Sequence, residues 1–346
     1  MTSSTRVRKA SIMTRYRHHP LACMLAISLL SAGHASPVFA QSTRINAVTA
    51  GRTLTEAALA EFKKHKPAAR IELGVAGSAG SLARFCSGET DLALTARPIL
   101  KDESAACEKR GVQFVEMPIA LDAIAVVVNR RNSFVSSLSL DELRRIWESD
   151  AQGKITLWSQ VDARFPNTPL KLLGPDSRFE LASTFTEAVL GPGKSSRRDY
   201  MVSVDDDVLV RGVARDAHAL AYVSLASYGA HRHELKAVPV AAQSERAAVE
   251  PTIENVARGL YQPLSRPLLL YVNAKALDAI PVREFAEFYV ANGARLARAA
   301  RLVPLAEASY ASGLAHLRKR STGSAWAGVV PTDMTVQELQ KRQAAL

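Results

Sequence analysis

Apolar runs of strand length alternate with helix-period stretches along nearly the whole chain beyond residue 40. That alternation restricts the chain to the α/β class. Ile45 to Val48 reads as a strand, Thr53 to Lys64 as a helix closed by Pro67, and Ile71 to Val75 as the next strand. Helical patterns follow at Ser81 to Cys86 and at Asp102 to Arg110, the latter stopped by Gly111. "LDAIAVVVN" (121–129) is the most β-branched run and predicts a buried strand. "SLDELRRIWE" (139–148) opens with a serine cap and an acidic first turn, which predicts a helix. Strands are expected at Leu170 to Leu173, Ala219 to Val223, Leu235 to Val240 and "RPLLLYVN". Helices are expected at Arg178 to Leu190, "PTIENVARGL", Val282 to Asn292 and "MTVQELQKRQ".

The first forty residues stand apart. Arg6, Arg8, Lys9, Arg15 and Arg17 give a basic start without acids, ahead of the apolar run Leu21 to Ala32 and Val38-Phe39-Ala40. This is the pattern of a cleavable secretory signal over residues 1–40, with cleavage after Ala40 and export of the remaining chain. The apolar run is too short to span a bilayer, and Cys23 stands at its front, where a lipid-anchor cysteine would not. The remaining chain keeps 39 Lys+Arg against 33 Asp+Glu, a net charge of +6. Scattered basic residues and few aromatics argue against nucleic acid as a partner. About 306 residues exceed what a single core usually organises, so two lobes are expected. Cys86 and Cys107 remain, and an even pair in an exported chain predicts a disulfide.

Within "GVAGSAGSLARFCSGETDLALTARPI" (74–99), a strand stops at small residues and a helix starts at once. Such a turn points free N–H groups at whatever occupies it and suits an anion. Ala76 to Gly80 also has the outline of a relaxed nucleophile elbow. A catalytic serine needs a base and an orienting acid. His218, His231 and His233, with Asp176 or Asp205 to Asp207, are the available partners, and none carries a supporting signature. Gly191-Pro192-Gly193-Lys194-Ser195 imitates the end of a phosphate loop, but Ala188 stands where its first glycine belongs. His231 and His233 offer two candidate metal ligands, but without a carboxylate cluster they read as a surface turn. Trp147, Trp158 and Trp326 are too far apart for a sugar platform and read as packing residues. No enzyme activity, cofactor or metal is expected.

Five blocks in order carry a resemblance: "GSAGSLARFCSGETDLALTARPI", "MPIALDAIAVVVN", "SLDELRRIWE" with "KITLWSQV", "PTIENVARGLYQPLSRPLLLYVN", and "RKRSTGSAWAGVVPTDMTVQELQKR". Together they resemble the periplasmic phosphate-binding proteins of ABC transporters, over essentially the whole mature chain. The resemblance implies a two-lobed α/β periplasmic-binding-protein fold, each lobe a mixed sheet flanked by helices, with the ligand cleft between them. Residues 41–120 and 245–346 would build one lobe and residues 121–244 the other. It implies a monomer that binds phosphate or a related small oxyanion and delivers it to an inner-membrane permease.

Carried over by position, the ligand set is Thr49 in the first loop, and Ser78, Ala79, Gly80 and Ser81 at the first helix N-terminus. Arg97 belongs to it as a clamp, or is held structurally by Asp91 or Glu89. Ser177 and Arg178 would serve from the second lobe. Two positions depart from the pattern. Ala96 replaces a frequent Asp or Ser, and Phe179-Glu180-Leu181 stands where the family has Ser-Gly-Thr. These losses predict weak phosphate binding or poor discrimination from sulfate, unless Glu180 reaches inward to accept the phosphate proton. The alternative reading is a scaffold repurposed as a sensor, adhesin or envelope partner.

Overall fold

The computed structural model describes residues 42–243, 247–326 and 328, together with Glu338, Lys341, Arg342 and Ala345. The predicted signal segment lies outside these residues, and so does almost all of the predicted C-terminal helix.

The chain runs β1 (Thr43–Ala47), α1 (Arg52–His65), β2 (Ile71–Val75), α2 (Ser78–Cys86), β3 (Leu92–Thr95), α3 (Lys101–Lys109) and β4 (Phe114–Asn129). It continues through β5 (Leu138–Ser139), α4 (Leu140–Trp147), β6 (Lys171–Pro175), α5 (Glu180–Leu190), β7 (Met201–Ser203), α6 (Asp206–Arg215) and β8 (Ala219–Ser224). Then come α7 (Leu225–His231), β9 (Leu235–Ala237), β10 (Val240–Ala241), α8 (Ile253–Ala257), β11 (Ser265–Asn273), α9 (Ile280–Ala291), α10 (Gly293–Ala299) and α11 (Glu307–Lys319).

One mixed sheet has the order β2-β1-β3-β11-β4-β8-β6-β7, with β9 also paired to β4, and β5 pairs β10 separately. Strands β1, β2 and β3 are parallel, and β11 lies antiparallel between β3 and β4. In the other half β6 is parallel to β7 and β8. Strand β4 belongs to both halves. It pairs with β11 as far as Ala123 and with β8 from Ile124 onward. All sixteen of its residues are buried, as the apolar run at 121–129 requires.

The strand begins seven residues earlier than the β-branched run implied. Glu116 and Pro118 disguise that extension in the sequence. Glu116 is accommodated because Tyr271 and Ser324 hydroxyls donate to Oε2 (2.7 and 2.8 Å) and the Ala325 N–H donates to Oε1 (2.9 Å). This carboxylate therefore fastens the segment after α11 onto the sheet.

Helix α4 opens on the expected capping box, with Glu142 N–H donating to Ser139 Oγ and Ser139 N–H donating to Glu142. The expected strand Leu235 to Val240 is split into β9 and β10 at Val238-Pro239, because Pro239 has no N–H for a ladder. Helices α6, α10 and α11 were not legible in the periodicity. The acidic run at 205–207 is the start of α6, where Asp205 caps the Asp207 N–H at 2.9 Å. Cys86 and Cys107 form a disulfide that joins the end of α2 to α3.

Candidate functional site

A cavity of about 440 Å³ lies between the two halves of the sheet. Its walls come from the C-terminal ends of parallel strands, where open α/β sheets place their ligands. Thr49, Ala50 and Thr53 follow β1, Phe179, Glu180 and Leu181 follow β6, and Val204 to Asp206 follow β7. Asp122 of β4 and Arg266 of β11 form the floor at the crossover.

Asp122 and Arg266 are register partners across the β4–β11 ladder. Arg266 Nε and Nη2 both donate to Asp122 Oδ2, at 3.3 and 3.2 Å. Its Nη1 donates to Thr184 Oγ1 on α5, so one guanidinium ties the first half to a helix of the second. Asp122 is only 2% exposed. Burial pushes its carboxyl above the usual range, and the charge of Arg266 pulls in the opposite direction. Burial also raises the Asp206 carboxyl, against the hydroxyl of Ser224, which donates to Oδ2 at 3.1 Å. Among the described residues, Arg266 is the lone basic side chain on the cavity wall, beside four carboxylates.

Ser78 is buried at the first turn of α2, as its place in the strand-to-helix turn anticipates. Its hydroxyl accepts from the Ala96 N–H at 3.0 Å and donates to Glu180 Oε1 at 2.5 Å. Glu180 is the first residue of α5, so a side chain of the second half reaches across to the turn of the first. Arg266 Nη1 is 4.0 Å from the same Glu180 oxygen. Glu180 Oε2 is buried and has no hydrogen-bond partner among the described residues.

The other expected site residues separate. Thr49 lines the cavity. Ala79 and Gly80 are exposed, and the Ser81 N–H is consumed inside the helix by Gly77 O at 2.9 Å. Arg97 does pair structurally, but with Glu103 rather than with Asp91 or Glu89. Its two terminal nitrogens meet the two Glu103 oxygens at 2.8 and 2.7 Å, and Glu103 also accepts from Leu100 N–H at the start of α3. Asp91 instead accepts from the Arg44 N–H. Arg178 is 80% exposed and forks onto Asp176. Ser177 lies on the wall of a neighbouring cavity, beyond α5.

The rival sites do not assemble. Ser78 meets a carboxylate rather than an imidazole, while His231 is held by Asp207 and Glu234, and His218 lies beside Asp216. No group of three or more metal-ligating side chains occurs among the described residues. No helix among them is long and apolar enough to cross a membrane. Sequence reasoning missed Arg266 and Asp122, and singled out Asp206 only within the run 205–207 as a possible orienting acid for a catalytic serine. A lone aspartate inside "LDAIAVVVN" was the available signal, since a buried charge needs a partner.

A family model described as a PBP superfamily domain matches residues 35–292. Protein SphX of Synechocystis sp. is 39% identical over 323 residues, spanning 93% of this chain and 96% of the relative. Phosphate-binding protein PstS of Staphylococcus haemolyticus is 30% identical over 262 residues, spanning 75% of this chain and 79% of the relative. The crystal structure of "a possible phosphate binding protein" from Planctomyces limnophilus superposes with a TM-score of 0.70 at 30% identity, covering 81% of this chain and 98% of that one. This two-lobed α/β chain belongs to the periplasmic binding protein superfamily, as a PstS-like member.

Proposed function

We propose that the protein is an exported, monomeric receptor that takes phosphate or a related small oxyanion into this cavity and passes it to an ABC transporter permease. One lobe comprises residues 41–120 and 245–346, and the other residues 121–244, hinged where β4 changes partners between Ala123 and Ile124. The observation that carries this reading is Arg266, a guanidinium at the base of a cavity framed by strand ends of both halves. A planar five-donor fork held by Asp122 and Thr184 is preorganised for an oxyanion. PstS and SphX relatives over most of the chain support the ligand class. The basic start and apolar run within residues 1–40 support export, and a family of binding proteins supports a non-catalytic role.

Within this reading Thr49 and Arg266 meet the anion directly, and Ser78 acts through Glu180. The α2 turn, with Ala79, Gly80 and Ser81, adds its dipole. Arg97 braces α3, while Ser177 offers a hydroxyl and the exposed Arg178, forked onto Asp176, a guanidinium near the rim.

Thermal unfolding tests the reading. A ligand that binds only the folded state at about a hundred times its Kd stabilises it by about 2.7 kcal/mol. Sodium phosphate is expected to raise Tm well beyond an ionic-strength-matched chloride control. Equal shifts with both salts would remove phosphate as the ligand.

A further inference from the structure

The end of the second half that points away from the cavity gathers cations that are scattered in the sequence. Strand β4 ends at Asn129 and turns through Arg130 and Arg131, while β6 starts at Lys171, the register partner of Ala219 at the start of β8. Helix α6 leaves the cavity wall at Asp206 and ends at Arg215. Arg232 follows α7, just before β9 pairs back onto Asn129. At 1.5 Å per residue, α6 puts this end about 15 Å from the cavity.

Buried amides lock these segments together. Asn129 Nδ2 donates to Val213 O and Ala214 O, both at 2.8 Å, and Asn132 Nδ2 donates to Ala217 O at 3.0 Å. Arg130 Nη1 donates to Arg232 O at 3.2 Å, and Lys236 Nζ donates to Asn132 O. Arg130, Arg131, Lys171, Arg215 and Arg232 are exposed, and none has a carboxylate partner among the described residues. The acids on the same segments face histidines instead. Asp216 lies 3.8 Å from His218 Nδ1, and Glu234 lies 3.2 and 3.4 Å from His231 and His233. Five cations held at one end without counter-charges repel one another, and an anionic surface relieves that repulsion.

We propose that this end is a membrane-contact surface, which binds the phosphates of anionic phospholipid headgroups and leaves the distant cavity open. The proposal rests on the export reading above and not on the ligand of the cavity. Guanidinium groups match phosphate oxygens in shape and charge, and four of the five cations are arginines. Nucleic acid fits less well. An exported chain meets phospholipid surfaces, and Phe134, the aromatic side chain of the same turn, is packed on Trp158 and Phe165 rather than free to stack on bases. Contact through exposed charges alone is screened by salt.

The test is co-sedimentation of the full mature chain with vesicles of phosphatidylcholine alone, and of phosphatidylcholine and phosphatidylglycerol in equal parts. It is run at about 0.1 M and about 1 M ionic strength, where the Debye length is about 10 and about 3 Å. One variant combines Arg130→Gln, Arg131→Gln, Arg215→Gln and Arg232→Gln. A second combines Lys63→Gln, Lys64→Gln, Arg298→Gln and Lys319→Gln, which removes the same charge from exposed positions of the other half. The unmodified protein is expected to bind only the phosphatidylglycerol vesicles, and only at the lower ionic strength. Each basic side chain near an anionic leaflet strengthens adsorption by about fivefold, so the first variant should bind at least about a hundredfold more weakly and the second within about threefold of the unmodified protein. Thermal unfolding of each variant confirms that it is folded. Equal losses in both variants would reduce the effect to net charge and overturn the proposal, as would equal binding to both kinds of vesicle or binding to neither. Retention on single-stranded DNA without binding to anionic vesicles would assign the surface to nucleic acid and overturn it too. Phosphate titration of the same preparations tests the receptor reading separately, because a loss of vesicle binding leaves that reading standing.

Discussion

Arg266 and Asp122 face each other as register partners at the point where β4 leaves one half of the sheet for the other, and their side chains close a buried ion pair at 3.2 Å. Fixing a charge pair there couples the floor of the cavity to the strand that joins the two halves. Breaking such a pair from one side leaves an uncompensated charge in a desolvated place.

Arg266→Met is therefore expected to lower stability at neutral pH by about 3 kcal/mol, within the range for a broken buried pair. Burial already raises the Asp122 carboxyl, and without Arg266 only the Ala123 backbone N–H offsets that rise, while the charge of Glu180 adds to it. For an acid whose folded pKa lies above its unfolded value, stability is retained below the unfolded pKa and lost as pH rises through the folded one. The deficit of the variant should consequently shrink as pH falls toward 4 in urea titrations. A deficit independent of pH would contradict the pairing.

Ser78 and Glu180 are expected to be energetically coupled. Ser78→Ala removes the donor to Oε1 and leaves the Ala96 N–H without its acceptor. In a double-mutant cycle on phosphate affinity, Ser78→Ala and Glu180→Gln should be non-additive by about 1–3 kcal/mol. Additive losses would mean that the two side chains meet the ligand independently.

Arg197 and Asp199 supply a separate acid-labile contact. Arg197 is buried, and its Nε and Nη2 hold both Asp199 oxygens at 2.6 and 2.8 Å. This pairing depresses the Asp199 carboxyl from 3.8 to about 2. A depressed acid contributes stability that is present above its unfolded pKa and lost as pH falls through the folded one. Wild-type stability should therefore drop between about pH 4 and pH 2, and Asp199→Asn should show a shallower drop. Parallel acid-unfolding curves would contradict this.

The disulfide between Cys86 and Cys107 closes a loop with a sequence separation of 21. Replacing both cysteines by alanine should lower the stability found by denaturant unfolding by about 3 kcal/mol in the chain-entropy model. An unchanged denaturation midpoint would remove the disulfide as a stabilising element.

Much of this architecture was legible in the residues. The β-branched run at 121–129 marked the strand shared by both halves, and the capping box of Ser139 and Glu142 marked α4. The small-residue turn at 76–81 located one wall of the central interaction. What stayed hidden depends on distant partners. Glu116 looks out of place in a strand until Tyr271 and Ser324 are brought to it. Arg266 looks like one more surface cation until the ladder sets it against Asp122. The substitution Phe179-Glu180-Leu181 was visible as a change, but only the fold brings all three residues to the cavity and carries Glu180 to Ser78.

Isothermal titration of inorganic phosphate into ligand-stripped protein at neutral pH tests the central claim most directly. The account predicts one saturable site per chain with a Kd of about 1 μM or tighter, near −8 kcal/mol. The absence of saturable heat up to about 1 mM phosphate, which leaves no more than about −4 kcal/mol of binding, would contradict it.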